Sequence, residues 1–417
     1  MPDIAPAVQQ DVARLAASPE VRSAFNWFRT QEPQLTQWQM EMARIAAPPF
    51  GEVARGAWLA ERFREIGLDD VRADDVGNVF GAHPGFMGYG IGQRYVALSA
   101  HIDTVFPAGT PLNIRQQGSR LYGPGVSDNG AGVTAMLAIA ALLRSVRVRH
   151  SLPFVFIGNV GEEGEGDLRG MRHIFSTPRW KDSIAYNVVL DGAGSDTIVA
   201  EALGSRRFEV IVRGPGGHSW SDFGAPNPIV ILARAIDTFT ATPVPATPKT
   251  TFNIGVIRGG TSVNSIPESA SMKVDIRSTS MAEMERLEQT LRLALNRAVE
   301  DETLAAEMRS QQQKRPSGVS CEVVAIGNRP AGELPTGARI LHVIRAVDMQ
   351  LNNAAQVQRA STDANIPLSL GLEAIAIGGG GSGGGAHTLQ EWFDSNGREL
   401  GLKRILLTLL ALAGAGE

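Results

Sequence analysis

RYVALSAHID (94–103) is the stretch whose reading decides the fold. Its apolar run is flanked by Arg94 on one side and by His101 and Asp103 on the other, the pattern of a strand buried on both faces that ends in chemistry. A glycine turn and an apolar helical stretch follow, SDNGAGVTAMLAIAALLRSV (127–146). A second buried strand, PFVFIGNVGEE (153–163), again ends in charge, and YNVVLDGAG (186–194) does the same with Asp191. Apolar strands alternating with helices predict an α/β fold with a mixed, largely parallel sheet covered on both faces. Ligands of such sheets bind outside the carboxyl ends of the strands. His, Asp and Glu stand at those ends here.

Working outward, FNWFRTQEPQLTQWQMEMARIA (25–46) and GEVARGAWLAERFREIG (51–67) carry apolar residues at helical spacing, separated by Pro48 and Pro49. The texture changes from about residue 206. RRFEVIVRGPGGHS alternates like a half-exposed strand, NPIVILARAIDTFTAT reads as a helix, and TTFNIGVIRGG and ASMKVDIRS read as two more strands. A long amphipathic helix (281–310) and a strand SCEVVAIGN (320–328) complete a β-α-β-β-α-β order, the layout of a compact α+β sandwich. The chain then returns through a helix to the apolar strand EAIAIG (373–378) and a closing helix from about 395. The expected organisation is a catalytic domain in two parts, 1–205 and 330–417, with an inserted domain at 206–329. GGGGSGGG (378–385) has the composition of a linker but no two domains to join, so it is expected to pass very close to a ligand or metal.

The chain has 417 residues, enough for two or three domains. Lys plus Arg number 39 and Asp plus Glu 43, a net charge of −4 without the clustered positive charge that draws nucleic acid or anionic membrane. A hydrophobic fraction of 43% and a charged fraction of 20% describe a globular protein. Cys321, the single cysteine, can make neither an internal disulfide nor a thiolate metal site, which fits a reducing compartment. The N-terminal stretch has no apolar segment of the kind a signal peptide carries, and the longest apolar runs (135–143 and 405–416) are too short to span a bilayer. The expectation is a cytoplasmic protein with no nucleic-acid or membrane partner.

Asp103 lies two residues beyond His101, so the two share one face of an extended chain. A carboxylate there can accept the imidazole's second N–H and aim the other nitrogen at a metal; a plain capping role is the alternative. Asp128, in GPGVSDNGAG, suits either a helix N-cap or a bridge between two cations. GEEGEGD (161–167) holds four acids, which alone would read as a solvated turn, but it follows a buried strand. Glu162 and Glu163 point to opposite sides there, so one can ligate a metal while the other contacts its water. Asp191 and His387 complete a set of hard oxygen and imidazole ligands without sulfur, suited to zinc and also to cobalt or manganese. Two divalent ions against Asp128, Glu163 and Asp191 leave one positive charge, which a bridging hydroxide neutralises. A free carboxylate beside such a pair shuttles protons, so the spacing points to a di-metal hydrolase.

IAAPPFGE, SAHIDTVFP, GPGVSDNGAGV, GEEGEGDLRG, LDG, GPGGHS, GGTSVNSIP, DIRS and AHTLQEW occur in that order. Order and context resemble the di-zinc metallopeptidase superfamily of peptidase T, carboxypeptidase G, acetylornithine deacetylase, succinyl-diaminopimelate desuccinylase and aminoacylase, over nearly the whole chain. The resemblance implies a zinc-peptidase-like catalytic domain with an inserted lid and dimerisation domain, and hence a homodimer. It implies two Zn²⁺ (or Co²⁺ or Mn²⁺), one on His101 and Asp191, the other on Glu163 and His387, with Asp128 bridging. Glu162 would be the general base, Asp103 would orient His101, and the Asp128–Asn129 peptide would be cis. His218 would stabilise the oxyanion from the lid, frequently across the subunit interface, while Asn264 and Arg277 would contact substrate. Asn129 and Gly130 depart from the family's usual Lys after the bridging Asp. RASTDANIP (359–367) replaces the glycines of a related segment by Ala360 and Ser361, with Arg359 placed to bind a substrate carboxylate. The implied activity is hydrolysis of amide bonds in small peptides, of aminopeptidase, dipeptidase or tripeptidase type, by a metal-bound hydroxide. Deacylation of N-acyl amino acids is the alternative. A non-catalytic binding protein is a remote third reading, since neither base nor ligand is missing.

Overall fold

The computed structural model describes residues 4–86, 88–89, 93–309 and 318–415. Two compact units emerge, one of Met1–Ala202 with Gly332–Glu417 and one of Leu203–Ala331. The boundaries fall two or three residues outside those read from the sequence. The first and last strands of the second unit in chain order pair side by side, Ser205 opposite Arg329, so the unit's chain enters and leaves at one end.

The first unit is built on a nine-stranded sheet. Its centre is Phe154–Asn159, Tyr95–His101, Ile184–Leu190 and Glu373–Ile377, all parallel to their neighbours in this group. Antiparallel strands continue on either side, Val79–His83 against Phe154–Asn159 and Thr197–Ala202 against Glu373–Ile377. The sheet is therefore mixed with a parallel core, and the four core strands are buried because helices cover both faces. Parallel register sets His101 beside Asn159 and Ala100 beside Leu190. The segments that leave these strands, Asp103, Glu162–Glu163 and Asp191, consequently emerge at a common edge.

Helix Gly130–Ser145 is buried on nearly every side, between the sheet and the helix Pro19–Ala43. That explains a sequence apolar all round, where a surface helix would show one stripe. Helix Arg398–Leu412 is buried in the same way. At the N-terminus the structure has three helices, Pro6–Ala17, Pro19–Ala43 and Val53–Ile66, where the spacing predicts two. Ser18 caps the second through Val21 N (3.3 Å), and this helix runs on through Pro33. Burial of Phe28, Leu35 and Met42 on its inner face outweighs the one backbone bond that proline removes.

A small antiparallel sheet that the sequence reading does not anticipate joins Arg115–Gln117, Arg120–Tyr122, Trp392–Asp394 and Ser382–Gly384. It takes in three of the eight residues of the glycine tract, Ser382–Gly384. The close approach that the tract requires is to the protein itself. A Cβ on Gly378 would lie 2.5 Å from the carbonyl oxygens of Ala193 and Gly194, and one on Gly383 would lie 2.1 Å from Ser127 Oγ. These neighbours belong to the loops that carry Asp191 and Asp128, so the tract shapes the site by packing beneath it.

The second unit is a four-stranded antiparallel sheet in the order Thr250–Gly259, Ser269–Ser278, Gly204–Arg213, Ser320–Arg329. Helices Pro228–Thr240 and Met281–Arg309 cover one face over Phe208, Val210, Val212, Met272, Val274 and Ile276, an α+β sandwich. A short ribbon pairs His218 with Ser265 and Gly217 with Ile266. Among the described residues no helix is long and apolar enough to cross a membrane.

Candidate metal centre

Four loops at the carboxyl edge of the parallel strands bring the candidate ligands of the first unit together. His101 is fully buried; its Nδ1 lies 3.2 Å from the Asp103 carbonyl oxygen and 3.6 Å from the Asp103 carboxylate. The nearer carbonyl takes the N–H, which leaves Nε2 as a lone pair facing outward. That nitrogen lies 3.2 Å from Asp128 Oδ1 and 3.8 Å from Asp191 Oδ1. His387, held at a positive φ of 65°, sets its Nε2 3.1 Å from Asp128 Oδ2 and 3.1 Å from Glu163 Oε1. Asp128 therefore offers one oxygen to each histidine.

The Asp103 carboxylate does a second job besides its approach to His101. It accepts the backbone N–H of Glu162 at 3.0 Å and of Glu163 at 2.8 Å, fixing the turn on which the candidate base and candidate ligand sit. Asn129, the departure from the family pattern, caps helix Gly130–Ser145 through Gly132 N (3.1 Å). The same Oδ1 accepts Gly192 N at 3.1 Å and its Nδ2 donates to Leu190 O at 2.8 Å, which ties the Asp128 turn to the Asp191 loop. The Asp128–Asn129 peptide is cis.

His101 Nε2 and Asp128 Oδ1 are both buried, face each other, and have no hydrogen-bond partner. Two opposed lone pairs in a buried site fit a cation between them. The electrostatics agree. Burial works to lower the His101 pKa, but the neighbouring carboxylates of Asp103, Asp128 and Asp191 overcome it and raise it well above the usual value. Burial pushes the Glu163 carboxyl up to about 7, with neighbouring carboxylates adding to the effect. His387 is raised to about 9, chiefly by its hydrogen bond with Asp128. His101, Asp128 and Glu163 form a cluster able to hold a metal ion, with ligand atoms within 4.8 Å of one another. His387 and Asp191 border it. Glu162 is buried beside it on the turn held by Asp103.

Two residues of this site escape the sequence reading. Glu391 is fully buried, and its carboxylate accepts the backbone N–H of Gly125 (2.6 Å), Ser127 (2.7 Å) and Asp128 (2.7 Å). It stands four residues after His387, so one short segment supplies a candidate ligand and clamps the loop of Asp128. Its signal was present as the acid of AHTLQEW. Asp363, also fully buried, accepts Asn159 Nδ2 at 2.6 Å, and burial raises its carboxyl to about 7. STDAN carried it, but as part of a segment read for Arg359.

The remaining candidates are elsewhere. His218 and Asn264 meet in the ribbon of the second unit, where Ser219 N donates to Asn264 O at 2.9 Å. His218 Nδ1 accepts Trp220 N at 3.2 Å, so neutral His218 carries its proton on Nε2 as a free donor. Arg277 lies eight positions along its strand from Ser269, about 26 Å at 3.3 Å per residue, and its Nε donates to Asp275 Oδ2 at 2.7 Å. Arg359, in the first unit, makes an ion pair of 2.8 Å with Glu201.

The family model described as "Peptidase dimerisation domain" matches residues 201–303, and that of "Peptidase family M28" matches residues 78–206, the span of four of the five candidate ligands. Carboxypeptidase G2 from Pseudomonas is 23% identical over 293 residues, 70% of this chain and 66% of that protein. The two models together take in residues 78–303, and each covers less than half of the chain. A probable carboxypeptidase of Aspergillus clavatus is 32% identical to this chain over 203 residues, 44% of each protein. The chain thus spans less than half of that relative's length and about two thirds of carboxypeptidase G2. In fold, the chain is similar to aminopeptidase PepT from Bacillus cereus, with a TM-score of 0.71, 20% identity, and 92% and 99% of the two chains covered. The di-peptidase Dug1p from Saccharomyces cerevisiae gives a TM-score of 0.70 at 13% identity, covering 95% and 99%.

Proposed function

We propose that this chain is an M20-type peptidase, which hydrolyses amide bonds of small peptides with two divalent cations, zinc first among them. The observation that carries the reading is Asp128, whose two oxygens face two different histidines. His101 and Asp191 would hold one ion, His387 and Glu163 the other, and Asp128 would bridge them. When bound, such a pair polarises the amide carbonyl and acidifies a water toward neutral pH.

The rest follows from the chain's own groups. Glu162, fixed by Asp103 and buried, takes the proton of the attacking water and returns it to the leaving nitrogen. His218 donates its Nε2 proton to the tetrahedral oxyanion, its Nδ1 being occupied by Trp220 N. Asn264, beside His218, contacts substrate. Arg277 and Arg359 are carboxylate anchors that must first leave Asp275 and Glu201. The second unit forms a homodimer, as its matching family description suggests; sedimentation as a monomer at micromolar concentration would remove that part. The compartment is the cytoplasm, in keeping with the lone Cys321.

Zinc-loaded protein should be offered free-amine di- and tripeptides beside matched N-acetyl and N-succinyl amino acids, with mass-spectrometric readout. Cleavage of the free-amine peptides is expected, together with a Glu162→Gln variant that binds zinc normally and loses turnover. Cleavage confined to acylated amino acids replaces the peptidase reading by a deacylase. Full turnover by Glu162→Gln removes the proton-transfer scheme.

A further inference from the structure

The turn Pro48–Pro49–Phe50–Gly51 closes with Gly51 N on Pro48 O at 2.8 Å and places Phe50 at φ 70°. Proline at the second position and a left-handed third residue define a type II turn, whose third position belongs to glycine or asparagine. A bulky aromatic residue there is a conformational outlier. It is also 67% exposed, so core packing does not explain it. Residues held in this region persist where the surroundings fix them, and they concentrate at functional sites.

The surroundings do fix it. Arg55, buried beneath the turn, donates to Ile45 O at 3.0 Å and to Ile102 O at 2.8 Å, and Thr104 N donates to Ala47 O at 2.9 Å. The turn is thereby fastened to the chain on both sides of Asp103. One face of the Phe50 ring lies over the Arg169 guanidinium at 5.0 Å. Arg169 is itself held by Glu52 at 2.7 Å and Val76 O at 2.6 Å, and it crosses Gly161 so closely that a Cβ there would lie 2.6 Å from its Cγ. Glu162 and Glu163 come next in the chain. The ring is thus a rigid platform at the rim of the candidate centre, with Val53 (83% exposed) three residues beyond it.

We propose that Phe50 is a specificity-determining residue whose open ring face receives a large apolar side chain next to the scissile amide. The inference rests on the peptidase reading above. Charged side chains would gain little from such a surface, whereas aromatic and branched aliphatic ones would bury area against a base already in place.

Peptides matched except for Phe, Leu, Ala or Gly beside the scissile bond test it, using Phe50→Gly and Phe50→Asn. Both replacements suit the turn's backbone, so melting temperatures at or above wild type are expected. Both should lower kcat/KM on the Phe and Leu peptides by about 10-fold, through KM, and leave the Ala and Gly peptides within about 2-fold. Phe50→Tyr, which keeps the ring, should retain the wild-type preference. An active wild type whose Phe-to-Ala ratio is unchanged by Phe50→Gly overturns the role of Phe50 and spares the peptidase reading. A wild type that cleaves no peptide in the set overturns both.

Discussion

Replacing Glu391 should separate a clamp from a passive buried acid. Its two oxygens accept three backbone N–H groups, Ser127 and Asp128 on Oε1 and Gly125 on Oε2. Burial outweighs those bonds and raises the carboxyl to about 7, so its charge contributes little and its acceptor sites carry the effect. Glu391→Ala strands three buried donors at about 1–3 kcal/mol each; some re-solvation brings the expected loss to about 3–5 kcal/mol. Glu391→Gln keeps a carbonyl oxygen for Ser127 and Asp128 but turns an N–H toward Gly125 N, a loss of about 2 kcal/mol. Urea unfolding of the metal-free protein reads these values, and zinc titration reads whether Asp128 stays in place. Zinc affinity should fall in the same order, wild type above Gln above Ala. An alanine variant within about 1 kcal/mol of wild type, or a glutamine variant as damaged as alanine, would refute the reasoning.

Two further outcomes concern stability away from the centre. Arg404 is fully buried and grips Asp348 with Nε–Oδ1 at 2.6 Å and Nη2–Oδ2 at 2.9 Å. Asp348→Ala should cost about 3–5 kcal/mol in urea unfolding, whereas replacing the pair together by Met and Leu should restore most of it. Half-buried His83, its Nδ1 without a partner, is lowered to about 4, first by burial and then by the charges of His150 and Arg144. An unfolded histidine titrates near 6.5, so between 6.5 and 4 the unfolded chain takes the proton first. His83 therefore contributes stability above pH 6.5 that fades as pH falls toward 4. Allowing for its partial exposure this is about 1–2 kcal/mol, and urea midpoints should show a shallower acid slope in His83→Gln; an unchanged slope would place the effect elsewhere.

How much of this was legible in the chain varies by kind of feature. Strand Tyr95–His101 and helix Gly130–Ser145 announce themselves because burial on every side demands an unbroken apolar run, and such a run is a local property. The candidate ligands were equally easy to single out, since His101, Asp128, Glu163, Asp191 and His387 each follow a buried strand or a glycine turn. Helix Pro19–Ala43 was harder to bound, because Pro33 is a breaker by propensity and is tolerated only through packing that the sequence does not display.

The sequence by itself determined which chemistry was possible: imidazole and carboxylate at strand ends, no sulfur, and an inserted α+β unit. Only the tertiary structure decided how those groups are held. Glu391 reaches back more than 260 positions to Asp128, Asp103 bonds the backbone of Glu162 and Glu163, and the glycine tract fits beneath the Asp128 and Asp191 loops. None of these contacts has a periodicity or a spacing, because each joins a side chain to backbone that comes near only after the sheet has formed. Residue type follows from local demands on burial and backbone angle. Partnership follows from which strand lies next to which.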